Sequence, residues 1–166
     1  MCEGGPVRVP GPGGRGPQEP VPVRFFRLDS NPDLPLPARA TSHAAGYDVR
    51  SAEDDFELPR GGIKAVATGL LMELPPGLEC QVRPRSGLAL RYGITLPNSP
   101  GTIDPDFRGE IKVLLQNTGS EAVTIRRGDR IAQLVFARFE SPDVQESDDL
   151  TGTGRGTGGF GSTGRE

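Results

Sequence analysis

Between Val23 and Glu140, short runs of Val, Ile, Leu and Phe recur about every 8 to 12 residues, separated by Gly, Pro, Asn and Asp. That spacing predicts an all-β sandwich or barrel, with strands expected over 23–28, 46–52, 63–74, 78–82, 94–96, 110–116, 122–125 and 131–139. Leu78, Cys80 and Val82 alternate with Glu79, Gln81 and Arg83, the two-residue period of a half-buried strand. Residues 131–139 are apolar on both sides, which predicts cover on both faces, and in a domain of this size a second copy of the chain can supply it. The one helical candidate is 86–91, a single turn with Ser86 at its cap and free backbone N–H groups near Arg85.

Composition sharpens this picture. The 166 residues include 24 Gly and 17 Pro, which excludes a mainly helical fold. With 34% hydrophobic residues and no Trp, the chain fills one modest core, and no run is long enough to span a bilayer. Residues 1–22 are Gly, Pro and Arg with almost nothing to bury, and are expected to be a disordered tail. Residues 23–140 form the β domain, and 141–166 read as a mobile arm.

The 19 basic and 22 acidic residues give a formal charge of −3, so a general nucleic-acid binder is not expected and a polyanion must be met by a local cluster of Arg. Cys2 and Cys80 make neither a disulfide framework nor a metal spacing, and the N-terminal stretch lacks a secretory pattern. The expectation is a cytoplasmic protein that does not bind membranes.

Three segments carry chemistry. Arg83-Pro84-Arg85-Ser86-Gly87-Leu88-Ala89 places guanidinium, hydroxyl and closely approachable backbone at the start of a helical turn, which suits a phosphate cradle and equally a surface turn with a capping Ser. The stretch 93–109 reads as a hairpin, two short strands joined by Pro97-Asn98-Ser99-Pro100-Gly101, whose free backbone groups could read the edge of a planar base. Asp104 follows it, either as a general base toward water or as an ordinary Asx turn. Residues 154–159 match G-x-G-x-x-G with no strand before and no helix after, so the dinucleotide-fold reading fails. That leaves a glycine strip with Arg155 for charge and Phe160 for stacking, or a low-complexity tail. His43, the only histidine, is read as structural or exposed, and Glu53-Asp54-Asp55 as a solvated turn.

Together these segments resemble the trimeric dUTPase family. Five motifs stand in that family's order: Ala45-Gly46-Tyr47-Asp48, Pro84 to Ala89, Gly101 to Gly109, Arg127 to Leu134, and the arm from Arg155 to Gly164. The resemblance implies a β jelly-roll homotrimer, with the C-terminal arm exchanged between subunits, that hydrolyses dUTP to dUMP and pyrophosphate with Mg²⁺. By the same similarity Asp104 activates the water that attacks the α-phosphorus, while Arg85, Ser86 and Gly87 hold phosphates with Gln133 from a neighbour. Asn98, Thr102 and Ile103 would recognise uracil, with Lys112 near the nucleotide. Arg155 would bind the outer phosphates, and Phe160 and Gly161 would close over the base. Asp48 is at most a water-mediated support for the metal.

Phe107 stands where the family usually has Tyr, a ring that packs under the deoxyribose and excludes a 2′-hydroxyl. The ring is kept and the phenol lost, so discrimination against ribose is expected to survive. Two rivals remain: a sibling dCTP deaminase, which needs a catalytic Glu where residues 111–115 offer Lys112, and a non-catalytic nucleotide-binding relative, which would be expected to lose Asp104 or the arm.

Overall fold

A computed structural model describes residues 21–159. They form twelve strands and one short helix: β1 Arg24–Arg27, β2 Ala38–Arg39, β3 Tyr47–Arg50, β4 Phe56–Leu58, β5 Ile63–Ala67, β6 Leu70–Glu73, β7 Leu78–Arg83, α1 Ser86–Tyr92, β8 Ile94–Thr95, β9 Gly101–Ile103, β10 Lys112–Asn117, β11 Val123–Ile125 and β12 Arg130–Arg138. A five-stranded sheet in the order β2-β3-β12-β7-β9 faces a three-stranded sheet β5-β10-β8 across the core, and the pairs β1-β6 and β11-β4 complete the wall. Every pairing is antiparallel, so the chain returns through turns rather than helices.

The core is where the two-residue alternation points inward. Val66, Cys80, Val113, Leu115, Ala132 and Leu134 are fully buried, drawn from β5, β7, β10 and β12. Burial pushes the Cys80 thiol up to about 12, so it packs as a neutral apolar group. Beyond Arg138, the described residues carry turns and no strand, and no described helix is long and apolar enough to cross a membrane.

Several expectations need correction. The run 63–74 is two strands, because the chain changes sheet at Thr68–Gly69: β5 pairs with β10 and β6 with β1. Gly69 has φ +63, and a Cβ there would lie 2.4 Å from Cβ of Asn31, whose buried side chain donates to the Thr68 carbonyl at 2.8 Å. Apolar periodicity continues through such a corner and hides it. The hairpin over 93–109 is also not a paired one. β8 pairs with β10 while β9 pairs with β7, so the intervening loop bridges two sheets.

In α1 it is Arg85 that occupies the cap position, with no side-chain cap bond, and Ser86 is already helical. Gly93 ends the helix at φ 68, donating to the Ala89 carbonyl at 3.0 Å. In β12, Ile131, Ala132 and Leu134 are buried while Val135, Phe136 and Ala137 are half-buried, so the second face is only partly covered within one chain.

The acidic turn is more than solvated surface. Glu53 accepts the Ala67 N–H at 2.8 Å and pairs with Lys64 at 2.8 Å, and Asp55 accepts the Arg127 N–H at 2.9 Å. Burial raises the Glu53 carboxyl, but Lys64 and the Ala67 N–H outweigh it and hold the group below its ordinary value. His43 is exposed, the second of the two readings the sequence left open.

Candidate active site

The phosphate-binding candidates are gathered by register. Gln133 on β12 stands opposite Asp48 on β3 and opposite Arg83 on β7, a single row across three strands. Antiparallel partners in one row share a face, so these three residues emerge together at the end of β7 where the chain enters α1. Gly46 seats the middle of the row: a Cβ there would fall 2.1 Å from Oε1 of Gln133, whose Nε2 donates to the Pro84 carbonyl at 3.0 Å. Arg85, Ser86 and Gly87 then border a cavity of about 410 Å³ with Gly46, Asp48 and Gln133.

Asp48 organises the charge at this cavity. Its Oδ1 accepts Arg85 Nε at 3.0 Å, and its Oδ2 accepts an Arg130 guanidinium N–H at 2.8 Å. A second Arg85 nitrogen donates to the Arg130 carbonyl at 3.1 Å. One carboxylate facing two guanidiniums leaves a net positive cradle and fixes both side chains before any ligand arrives. Arg130 was missed from the sequence. The signal was its place three residues before Gln133 in the Arg127 to Leu134 segment. Arg127, by contrast, is a clamp for the fold: it donates to the carbonyls of Ala52 and Ser30 and pairs with Asp33 at 2.6 Å.

The base-reading candidates line a separate cavity of about 230 Å³. Asn98, Thr102, Ile103, Phe107 and Lys112 all border it, with Glu110 between them. Glu110 accepts the Gly69 N–H at 2.9 Å with one oxygen and faces Lys112 Nζ at 3.7 Å with the other, which anchors the start of β10 to the Thr68–Gly69 corner. Asp104 follows β9 directly and is exposed, entering no ion pair among the described residues. Its carbonyl accepts the Phe107 N–H at 3.2 Å, closing the turn that brings the ring round to the cavity.

The two cavities do not meet within one chain at their working ends. Ile103 pairs with Cys80, so Asp104 lies at the far end of β7 from Arg85, five to six strand residues away or roughly 17 to 20 Å. That exceeds the length of one triphosphate. Arg155 is exposed and bonds to the Gly158 carbonyl at 2.8 Å within its own arm. Phe160 and Gly161 lie outside the described residues.

A dUTPase family model matches residues 33–164. The chain belongs to the dUTPase family. It is 52% identical over 143 residues to the deoxyuridine 5′-triphosphate nucleotidohydrolase of a Thermoanaerobacter species, covering 86% of this chain and 97% of that relative. With the enzyme of the same name from Mesorhizobium japonicum it shares 53% over 146 residues, 86% and 90% of the two chains. Among solved structures, the dUTPase of Staphylococcus bacteriophage 80alpha with dUPNHPP superposes with a TM-score of 0.79 at 23% identity, covering 86% of this chain and 98% of that one. An Asp-to-Asn mutant of the dUTPase from phage phi11 of S. aureus, a structure described for its coordination of a structural Mg(II) ion, does so with 0.68 at 19% identity, covering 78% and 98%. At those identities the structural likeness shows the fold alone, and that fold is the jelly roll the family resemblance implied.

Proposed function

We propose that this dUTPase-family chain hydrolyses dUTP to dUMP and pyrophosphate, which keeps uracil out of DNA and supplies dUMP for thymidylate synthesis. The observation that carries the reading is the pair of complementary half-sites: a guanidinium cradle at one end of β7, and a small cavity bordered by Asn98, Thr102, Ile103 and Phe107 at its other side.

In this reading backbone groups of the 98–103 segment take the uracil edge, and the Phe107 ring lies under the deoxyribose beside Lys112. Asp104 accepts a proton from the water that attacks the α-phosphorus, and pyrophosphate departs toward the guanidiniums. Arg85, Ser86 and Gly87 hold the outer phosphates with Gln133, and Arg155, Phe160 and Gly161 close the arm over the nucleotide. Because Asp48 has set Arg85 and Arg130 in advance, charge on the departing pyrophosphate meets positive groups that need no reorganisation.

The residues present fit a magnesium ion carried in by the substrate. Among the described residues no group of three His, Cys, Asp or Glu could hold a metal, and both Asp48 oxygens already bond to arginines. Asp48 would therefore support Mg²⁺ only through water, and the bound ion would neutralise charge on the phosphate oxygens.

The distance along β7 supports a homotrimer in which the Asp104 half-site of one subunit faces the Arg85 cradle of the next. Leu90 and Tyr92, exposed on α1 beside that cradle, are the apolar surface such contact would cover. The free buried thiol of Cys80 agrees with a reducing, cytoplasmic setting. Pyrophosphate release measured across dUTP, dCTP, dTTP and UTP tests the activity, and dUTP alone should be turned over efficiently. Asp104→Asn should lower kcat by roughly 10² to 10⁴ while a non-hydrolysable dUTP analogue still binds. Full activity in that variant would overturn the role of Asp104.

A further inference from the structure

Phe107 is 44% exposed and lies outside the buried core, so the packing that holds the rest of the domain does not hold its ring. Its backbone is fixed by the turn to the Asp104 carbonyl and by an Arg108 guanidinium N–H that reaches its own carbonyl at 2.9 Å. The side chain itself rests on Gly109. A Cβ built on Gly109 would lie 2.6 Å from Cζ of Phe107, 3.0 Å from Cε2 and 3.4 Å from Cε1. Gly109 does not have the positive φ of Gly69 or Gly93, so the missing side chain serves this contact and not the backbone.

We propose that Gly109 is a positioning residue for nucleotide specificity: its bare Cα is the platform that sets the tilt of the Phe107 ring, and through it the rejection of a ribose 2′-hydroxyl. This rests on the assignment of that cavity to the deoxyuridine. The atoms a methyl would strike are the far end of a side chain with two free torsions, so the ring swings aside and the fold keeps its packing. A ring displaced by even a fraction of an ångström no longer presents its face at the distance that admits C2′–H and excludes C2′–OH. Selectivity and stability should therefore separate at this position, which a purely structural glycine would not allow.

The test compares kcat/KM for dUTP and UTP in wild type, Gly109→Ala, Phe107→Leu and the double variant, with thermal melts of each. Gly109→Ala should lower the dUTP preference at least tenfold, mainly through KM for dUTP, with a melting temperature close to wild type. Phe107→Leu, which removes the ring atoms that Gly109 supports, should lower the preference too. In that background Gly109→Ala should add nothing, a non-additivity that marks action through the ring. An unchanged dUTP-to-UTP ratio in Gly109→Ala, or additive effects in the double variant, would overturn the proposal. If Gly109→Ala does not fold, unaltered selectivity in Phe107→Leu would overturn it instead. A wild-type protein that turns over neither nucleotide would overturn the assignment of the cavity and this inference with it, whereas a selective wild type with an equally selective Gly109→Ala overturns only the role of Gly109.

Discussion

Asp48 accepts from Arg85 and Arg130 through different oxygens, and its side chain keeps only 20% exposure while doing so. A long guanidinium side chain loses considerable rotamer entropy when it grips a phosphate, and a carboxylate that holds it beforehand shifts that cost into folding. Asp48→Asn keeps the shape but removes the charge, so both arginines regain freedom at the cradle. The expected result is a rise in KM for dUTP of about tenfold with a smaller fall in kcat, alongside a stability loss of about 1–3 kcal/mol for two partly exposed charge-assisted bonds. Steady-state kinetics and urea melts on one variant check both halves of that claim. The Asp at this position was legible in the sequence as part of a motif. Its engagement with Arg130 was not, since 82 residues separate the two and only the β3–β12 register brings them together.

At the scale of elements, the corner between β5 and β6 shows why periodicity misleads. Apolar residues recur from Ile63 to Leu74 with only Lys64, Thr68 and Glu73 as polar residues among them, yet the chain turns over Gly69 to enter another sheet. Gly69 combines a left-handed backbone with an approach to Asn31 that a methyl would bring to 2.4 Å. Gly69→Ala should therefore cost about 2–5 kcal/mol, the left-handed penalty plus overpacking, read as a fall in the denaturant midpoint with the slope unchanged. The same corner donates its N–H to Glu110, so the variant should also weaken uridine-side binding through the strand that carries Lys112.

The short strands β2 and β4 escaped sequence reading for a related reason. Ala38–Arg39 follows Pro37 with no branched or aromatic residue, and Phe56–Leu58 follows the acidic run Glu53-Asp54-Asp55, so their pairing partners β3 and β11 define them. Helix α1 was placed within one residue of its end at Tyr92, although the Ser86 cap that suggested it gives way to Arg85.

At the scale of the molecule, the acidic stretch Glu140, Asp143, Glu146, Asp148 and Asp149 links β12 to the glycine segment around Arg155. From Glu140 to Arg155 the chain can extend about 50 Å, ample for a crossing to a neighbouring subunit. Truncation after Asp148 should abolish most dUTP turnover while sedimentation still reports the mass of the full assembly. Unchanged kinetics in the truncated protein would remove the arm from the mechanism, and a monomeric wild type would remove the shared site.

The sequence by itself determined the all-β class and the order of the motifs, and the resemblance those motifs carry proposed Arg85, Asp104, Phe107 and Gln133 as site residues. Those features depend on local residue type and spacing, which a linear string contains in full. Tertiary structure alone decided that Asp48 serves two arginines, that Gly46 and Gly109 make room for Gln133 and Phe107, and that Asp104 and Arg85 stand at opposite ends of one strand. The Asp48, Gly46 and Asp104 relations are matters of register between distant segments that meet only when the sheets pack, whereas Gly109 meets Phe107, two residues away, through the turn that follows Asp104.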